Sequence, residues 1–442
     1  MDACSPEEVR VPPPSALAAG QQSLRRRWFY LLPAVFVTYS LAYLDRANFG
    51  FGAAAGLAAT LHITGQQTSL LGSLFFLGYL LFQMPGAIFA KRRSATRLVF
   101  LALIAWGSLA ALTGVIRIFW LLALDRFLLG VAESTIFPAM LLLLTRWFTR
   151  AERSRANTIL ILGNPITVLW MSAITGYLIQ AYGWQRTFII EGIPSVVWAV
   201  IWIVLVRDKP SQAKWMTPEG VEVLEAELAR EQLTVAPVGA VRQALLRADI
   251  LLISTAFFFW SIGVYGFVLW LPTMVQQGGS LSMGKTGLLS ALPYLLSISM
   301  MLVVSHFSDR SQKRQAFVWP LLCLAGIALL GSFLFAAHSF PLAFVCLVVA
   351  GGCMYAPYGP FWAMVPERVP ANVCAEVLAY VNTFGACGGL LGAYFVGLLR
   401  AITGDSRAGY LLMSLSLVCA ATIVFILKKP HVVPASVSPA AR

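Results

Sequence analysis

The chain has 442 residues, of which 59% are hydrophobic and only 12% charged, and a formal net charge of +13 with a mean hydropathy of +0.77. A soluble domain carries about twice that share of charge, so a single core in water is excluded and the bilayer is the solvent to expect. The basic excess sits in short clusters between apolar runs, a distribution that argues against nucleic acid as a partner.

In chain order, a polar, proline-containing tail reaches Gln22 and is followed by Arg25–Arg27 and the first apolar run. That run is too long for a secretory signal and lacks a small-residue cleavage site. Runs of about 20 apolar residues, enough to cross roughly 30 Å of hydrocarbon as helix, recur at 28–52, 68–90, 98–117, 119–147, 157–181, 186–206, 250–275, 286–307, 316–337, 341–365, 373–400 and 409–427. They predict an all-α integral membrane protein with twelve transmembrane helices in two six-helix bundles, 28–206 and 250–427. Tails 1–27 and 428–442 flank the bundles, and a polar linker at 207–249 joins them. In the linker, "TPEGVEVLEAELAREQ" reads as a surface helix, with Thr217 as cap, Pro218 in the first turn and acids at the positive end.

Arg25–Arg27, Lys91–Arg93 with Arg97, Arg146, Arg150, Arg153 and Arg155, Arg310 with Lys313 and Arg314, and Lys428–Lys429 all fall on one side of a twelve-span layout. Basic loops stay cytoplasmic, which predicts both termini inside. "GAIFAKRRSATR" after the second run and "SHFSDRSQKR" after the eighth form a faint repeat between the halves. Two related bundles around a cavity are a transporter's architecture.

Charge inside the apolar runs is costly and points to a wet cavity or a partner. Asp45 and Arg46 lie roughly 27 Å along the first helix, in the outer half, and Arg126 in the fourth lies at similar depth. Glu133, seven residues on, falls on the face of Arg126 about 10 Å deeper. This set reads either as an ion network gluing spans one and four or as a site. An arginine matches a carboxylate bidentately. A buried acid feels opposed pressures from desolvation and a nearby arginine, so anion binding can be coupled to proton binding. In the tenth run Pro357, Gly359 and Pro360 predict a bend, either a gate hinge or a static kink.

From about Arg25 to Lys429 the chain resembles the major facilitator superfamily, and within it the anion:cation symporters. The marks are "YLDRANFGFG" (43–52), "RFLLGVAESTIFPAM" (126–140), "RWFTRAERSRAN" (146–157), "GWQRTFIIEGIPSVVW" (183–198), "DKPSQAKWMTPE" (208–219), "YGFVLWLPTM" (265–274) and "SDR" (308–310). "RSRANTILILGNPITVLWMS", "WSIGVYGFVLWLP" and "MYAPYGPFWAMVPE" are similar to the L-galactonate transporter branch. The resemblance implies proton coupling through Asp45 and Glu133 and anion binding by Arg46, with Arg126 as ligand or ion-pair partner. It offers Tyr43, Tyr79, Asn164, Trp362 and Asn382 as hydroxyl partners, the tyrosines being otherwise packing residues and Asn382 an interhelical hydrogen bond. Asn164 precedes Pro165, which interrupts the helical ladder. Asp309 and Arg310 are implied as gate residues, whereas Lys91 stands where the first-half turn usually carries an acid.

The seven cysteines include six in or beside C-terminal runs and Cys4 in the tail, without metal-ligand spacing. Neither a His-Glu-x-x-His nor a Gly-x-Ser-x-Gly motif occurs, so no enzyme, cofactor or metal is expected. The expected function is a monomeric, proton-coupled importer of a small organic anion in a bacterial inner membrane. A sugar acid such as L-galactonate leads over hexuronate, tartrate or an aromatic acid, and a drug/proton antiporter is the rival on the same fold.

Overall fold

The computed structural model describes residues 24–54, 57–233, 240–279, 283–336, 338–403 and 407–428. The tails up to 23 and from 429, with Cys4, lie outside the described residues. Among the described residues there is no strand, and ten helices are long and apolar enough to cross a membrane. Large apolar side chains such as Leu77, Leu101, Val200, Leu302 and Leu415 point outward. So much exposed apolar surface suits lipid and not water.

The first half contains span one (Leu32–Ala54), span two (Gly65–Arg92), span three (Ala95–Thr113) and span four (Phe119–Ser134 continued by Ile136–Trp147). Span five begins as Arg153–Ile161 and continues in Gly163–Leu205, which also holds span six beyond a break at Gly183. The second half contains span seven (Ala248–Gly279), span eight (Met283–Ser311) and span nine (Arg314–Ala336). It is completed by span ten (Phe340–Tyr355 continued by Tyr358–Met364), span eleven (Ala371–Thr403) and span twelve (Arg407–Ile426). Span four is divided at Thr135 because Pro138 has no N–H for the Ser134 carbonyl. Span five is interrupted at Leu162, which places Asn164 and Pro165 in the first turn of its next segment.

Contacts between the halves come in pairs that exchange one half for the other: span two with eleven and five with eight, then four with eleven and ten with five. Two glycines at the crossing of spans two and four leave no room for a side chain. A Cβ on Gly130 would lie 2.0 Å from the Phe75 carbonyl, and one on Gly78 would lie 2.3 Å from that of Phe127, so spans two and four touch along their backbones.

The linker follows its sequence signals. Pro218–Leu233 is a helix, and its Gly220 N–H donates to the Thr217 hydroxyl at 3.2 Å. Trp215 stacks between Trp147 (5.3 Å) and Tyr30 (5.0 Å), which ties the linker to the first half. The Ala371 N–H donates to Gln232 at 2.8 Å, which ties it to the second.

Candidate functional site

A small cavity lies between the halves, lined by Tyr39, Tyr79 and Asn164 on one side and Ser261, Tyr265, Tyr358 and Asn382 on the other. Counting 1.5 Å per residue from Lys91 to Tyr79 and from Glu376 to Asn382, it sits roughly 9–18 Å from the basic end. Three of the sequence-predicted residues, Tyr79, Asn164 and Asn382, therefore share one cavity. Asn382 Nδ2 donates to Gln83 Oε1 at 2.7 Å, a hydrogen bond between the halves. The Asn164 carbonyl oxygen and the Ser261 hydroxyl are buried with no hydrogen-bond partner among the described residues. A buried polar atom without a partner is costly, and here two of them face a space that a hydroxylated ligand or water can fill.

Arg126 and Glu133 are both buried on span four and share the face that also buries Leu122, Leu129 and Gly130. The Arg126 guanidinium lies over the rings of Phe49 (4.4 Å) and Phe75 (5.4 Å). Phe75 in turn stacks on Tyr79 at 6.0 Å, which leads from the arginine to the cavity. Asp45 and Arg46 lie on the span-one helix, but their side chains are outside the described residues. Tyr43, two residues before Asp45, is half-buried on the same helix.

The cavity is shut off from the basic end in two layers. The first is aromatic. Trp362 is fully buried and meets Phe137 of the first half at 5.0 Å and Phe257 at 5.1 Å, both edge to face. Its Nε1 has no partner among the described residues. The second layer is ionic and centred on Asp309, which accepts from the backbone N–H groups of Ser154 (3.1 Å) and Arg155 (2.9 Å), from Arg155 Nε (3.1 Å) and from Arg314 Nη1 (2.5 Å). Asp309 thus caps the first turn of span five from the opposite half. Arg314 reaches Glu367 at 3.1 Å and donates to the Arg150 carbonyl, while Arg150 lies 3.3 Å from Glu367. Arg310, the other expected gate residue, is exposed, and the arginine partners of Asp309 are Arg155 and Arg314.

Lys91 pairs with Glu376 of span eleven at 2.5 Å. The departure at Lys91 is thus met by an acid in the other half, a partner that lies 285 positions away and is not visible in the sequence. Pro357 separates the two segments of span ten, in keeping with the expected bend. Gly359 has a second role, because a Cβ there would lie 1.9 Å from the Thr158 hydroxyl of span five.

Two buried acids outside the cavity lining were not singled out by sequence. Asp125 accepts from the Thr113 hydroxyl at 2.7 Å, and Glu191 accepts from that of Thr175 at 2.7 Å. The available signal for Asp125 is the repeat of "LDR" at 44–46 and 124–126. Glu191 is an acid inside an apolar run, a signal in itself. Among the described residues no cluster of His, Cys, Asp or Glu could hold a metal ion.

The family described as the Major Facilitator Superfamily matches residues 35–393. A quinolone resistance transporter of Acinetobacter baumannii is 29% identical, with 91% of this chain and 94% of that protein covered. A putative tartrate transporter of Agrobacterium vitis is 28% identical, covering 92% and 91%. Among solved structures, the proton:xylose symporter XylE is similar in fold, with a TM-score of 0.71 and 12% identity over 90% of this chain and 96% of that one.

Proposed function

The chain belongs to the Major Facilitator Superfamily, a family of transporters and not of enzymes, and we propose that this member is a proton-coupled symporter importing an organic anion by alternating access. The proposed subfamily is the anion:cation symporters, and the proposed substrate is a sugar acid, with L-galactonate first among aldonates. The proposed setting is a bacterial inner membrane with both termini cytoplasmic, since the basic clusters gather at one end of the spans. One chain supplies both walls of the cavity, so a monomer suffices.

The observation that carries this reading is the inter-half cavity with its unmatched polar atoms on Asn164 and Ser261. Amides and hydroxyls on both walls suit the hydroxyl groups of a sugar acid. At ≈ 40 Å³ the cavity is too small for such a substrate in this conformation, which is closed at the basic end. Arg46 is assigned to the carboxylate and Arg126 to the same anion or to an acid beside it. Asp45 and Glu133 are assigned to the proton. The aromatic and ionic layers must part for release into the cytoplasm.

A second reading comes from the quinolone resistance relative. Quinolones and tartrate both carry carboxyl groups, so the same arginines could serve an exporter. The test uses proteoliposomes with an inward proton gradient and labelled L-galactonate, tartrate or a quinolone. Accumulation of L-galactonate that a protonophore abolishes is the expected result. Expulsion of the quinolone with no uptake of either sugar-derived acid would contradict the importer and favour the exporter.

A further inference from the structure

A side pocket of about 490 Å³ opens at the basic end, between the start of span nine, the segment after span ten and the end of span twelve. Its walls carry four cations, Arg150, Lys313, Arg314 and Arg368. Glu367 is the only acid among its described lining residues, and it is already held by Arg150 (3.3 Å) and Arg314 (3.1 Å). The pocket therefore has an unspent positive charge. Lys313 is exposed and lines the pocket. Arg368 is 5% exposed; its Nη1 donates to the Lys428 carbonyl at 3.0 Å, but its buried Nε has no hydrogen-bond partner among the described residues. Burial holds this guanidinium below the usual arginine range, an effect that nearby Asp249 and Glu367 offset only in part. An added anion would relieve that cost. The 23-residue helix of span nine begins at the same place and adds the positive end of its dipole.

The opposite wall is apolar. Trp319 and Phe425 meet edge to face at 5.1 Å, beside Met364. Phe425 is 59% exposed on the flank of span twelve, where lipid chains run. A soluble anion has no use for such a wall, but a lipid presents a charged phosphate and an apolar tail at the same depth.

We propose that this pocket binds the phosphate of an anionic phospholipid headgroup, with Lys313 and Arg368 on the phosphate and Trp319 and Phe425 against the start of an acyl chain. Arg150 comes from the first half and the other described lining residues from the second, so the pocket lies beside the seam between the halves. Free inorganic phosphate shares the charge, and the experiment separates it from lipid.

The full chain is purified in detergent and titrated with phosphatidylglycerol, phosphatidylcholine or inorganic phosphate, and retained lipid is counted by native mass spectrometry. The parent should retain phosphatidylglycerol in preference to phosphatidylcholine. Arg368→Gln should weaken that retention about tenfold, and Lys313→Gln, an exposed site that leaves folding intact, should weaken it severalfold. Arg92→Gln with Arg93→Gln, on the exposed turn of the first half, should leave it unchanged. If inorganic phosphate raises the melting temperature and Lys313→Gln removes that rise while lipid retention is unaffected, the site takes free phosphate and the lipid assignment is overturned. Equal retention of phosphatidylglycerol in the parent and both single variants overturns the site.

Discussion

The Arg126 guanidinium lies over two rings on the buried face of span four, and this contact depends on the shape of a guanidinium. A planar, weakly hydrated cation stacks on Phe49 and Phe75 in a way that an ammonium cannot. Arg46→Lys and Arg126→Lys should therefore separate two jobs. Arg46→Lys keeps the charge and loses the fork, and should weaken anion binding by about 2 kcal/mol or more with little change in melting temperature. Arg126→Lys should lower the melting temperature as well. Calorimetric titration and thermal unfolding of both variants read the difference, and near-parental affinity in Arg46→Lys would remove Arg46 from the site. Asn164 and Asn382 are legible in the sequence because an amide inside an apolar run is expensive enough to need a reason. Ser261 is not legible, because a serine in a span usually bonds its own helix backbone, as Ser254 does to the Ile250 carbonyl. Gln83 is an amide inside an apolar run as well and carries the same signal, but its partner Asn382 lies 299 positions away and is not visible in the sequence.

The two turn elements at the basic end solve one problem with opposite charges. Asp309 can cap the N-terminus of span five because a carboxylate suits the positive end of a helix. Lys91 cannot cap the N-terminus of span eleven for the same reason, and it pairs instead with Glu376 one turn further in. Glu376→Lys or Lys91→Glu alone should each destabilise the conformation closed at the basic end by about 1–3 kcal/mol, since one partner is buried and the other about a quarter exposed. Combining Lys91→Glu with Glu376→Lys should restore much of the loss, as read by the distance between spin labels on the basic ends of spans two and eleven. A double variant as open as the singles would show that the pair does not hold the halves. At this scale ten of the hydropathy windows coincide with described helices long and apolar enough to cross a membrane, because length and apolarity alone define such a span. The division of span four at Thr135 is not visible, since Pro138 sits inside the run without changing its hydropathy. Gly359 reads as a hinge from its proline neighbours, while its approach to Thr158 depends on which helix crosses there.

For the whole molecule, one chain places polar groups between two halves, shuts them off at one end with aromatic and ionic layers, and buries Arg126 and Glu133 on span four of the first half. Amides and hydroxyls of both walls can recognise a substrate, but only a titrating acid can tie its movement to a proton. Glu133 is buried on the same face as Arg126, two turns nearer the basic end, and in the proposed symport it senses the anion without being its main ligand. Glu133→Gln keeps the shape of the protonated acid and removes the titration. The most direct test measures two transport modes of this variant in the same proteoliposomes: exchange of labelled for unlabelled anion, and uptake driven by a proton gradient. The account predicts that Glu133→Gln still exchanges the anion and fails to concentrate it on the gradient. Accumulation equal to the parent's would contradict Glu133 as the coupling residue and leave that role to Asp45 alone.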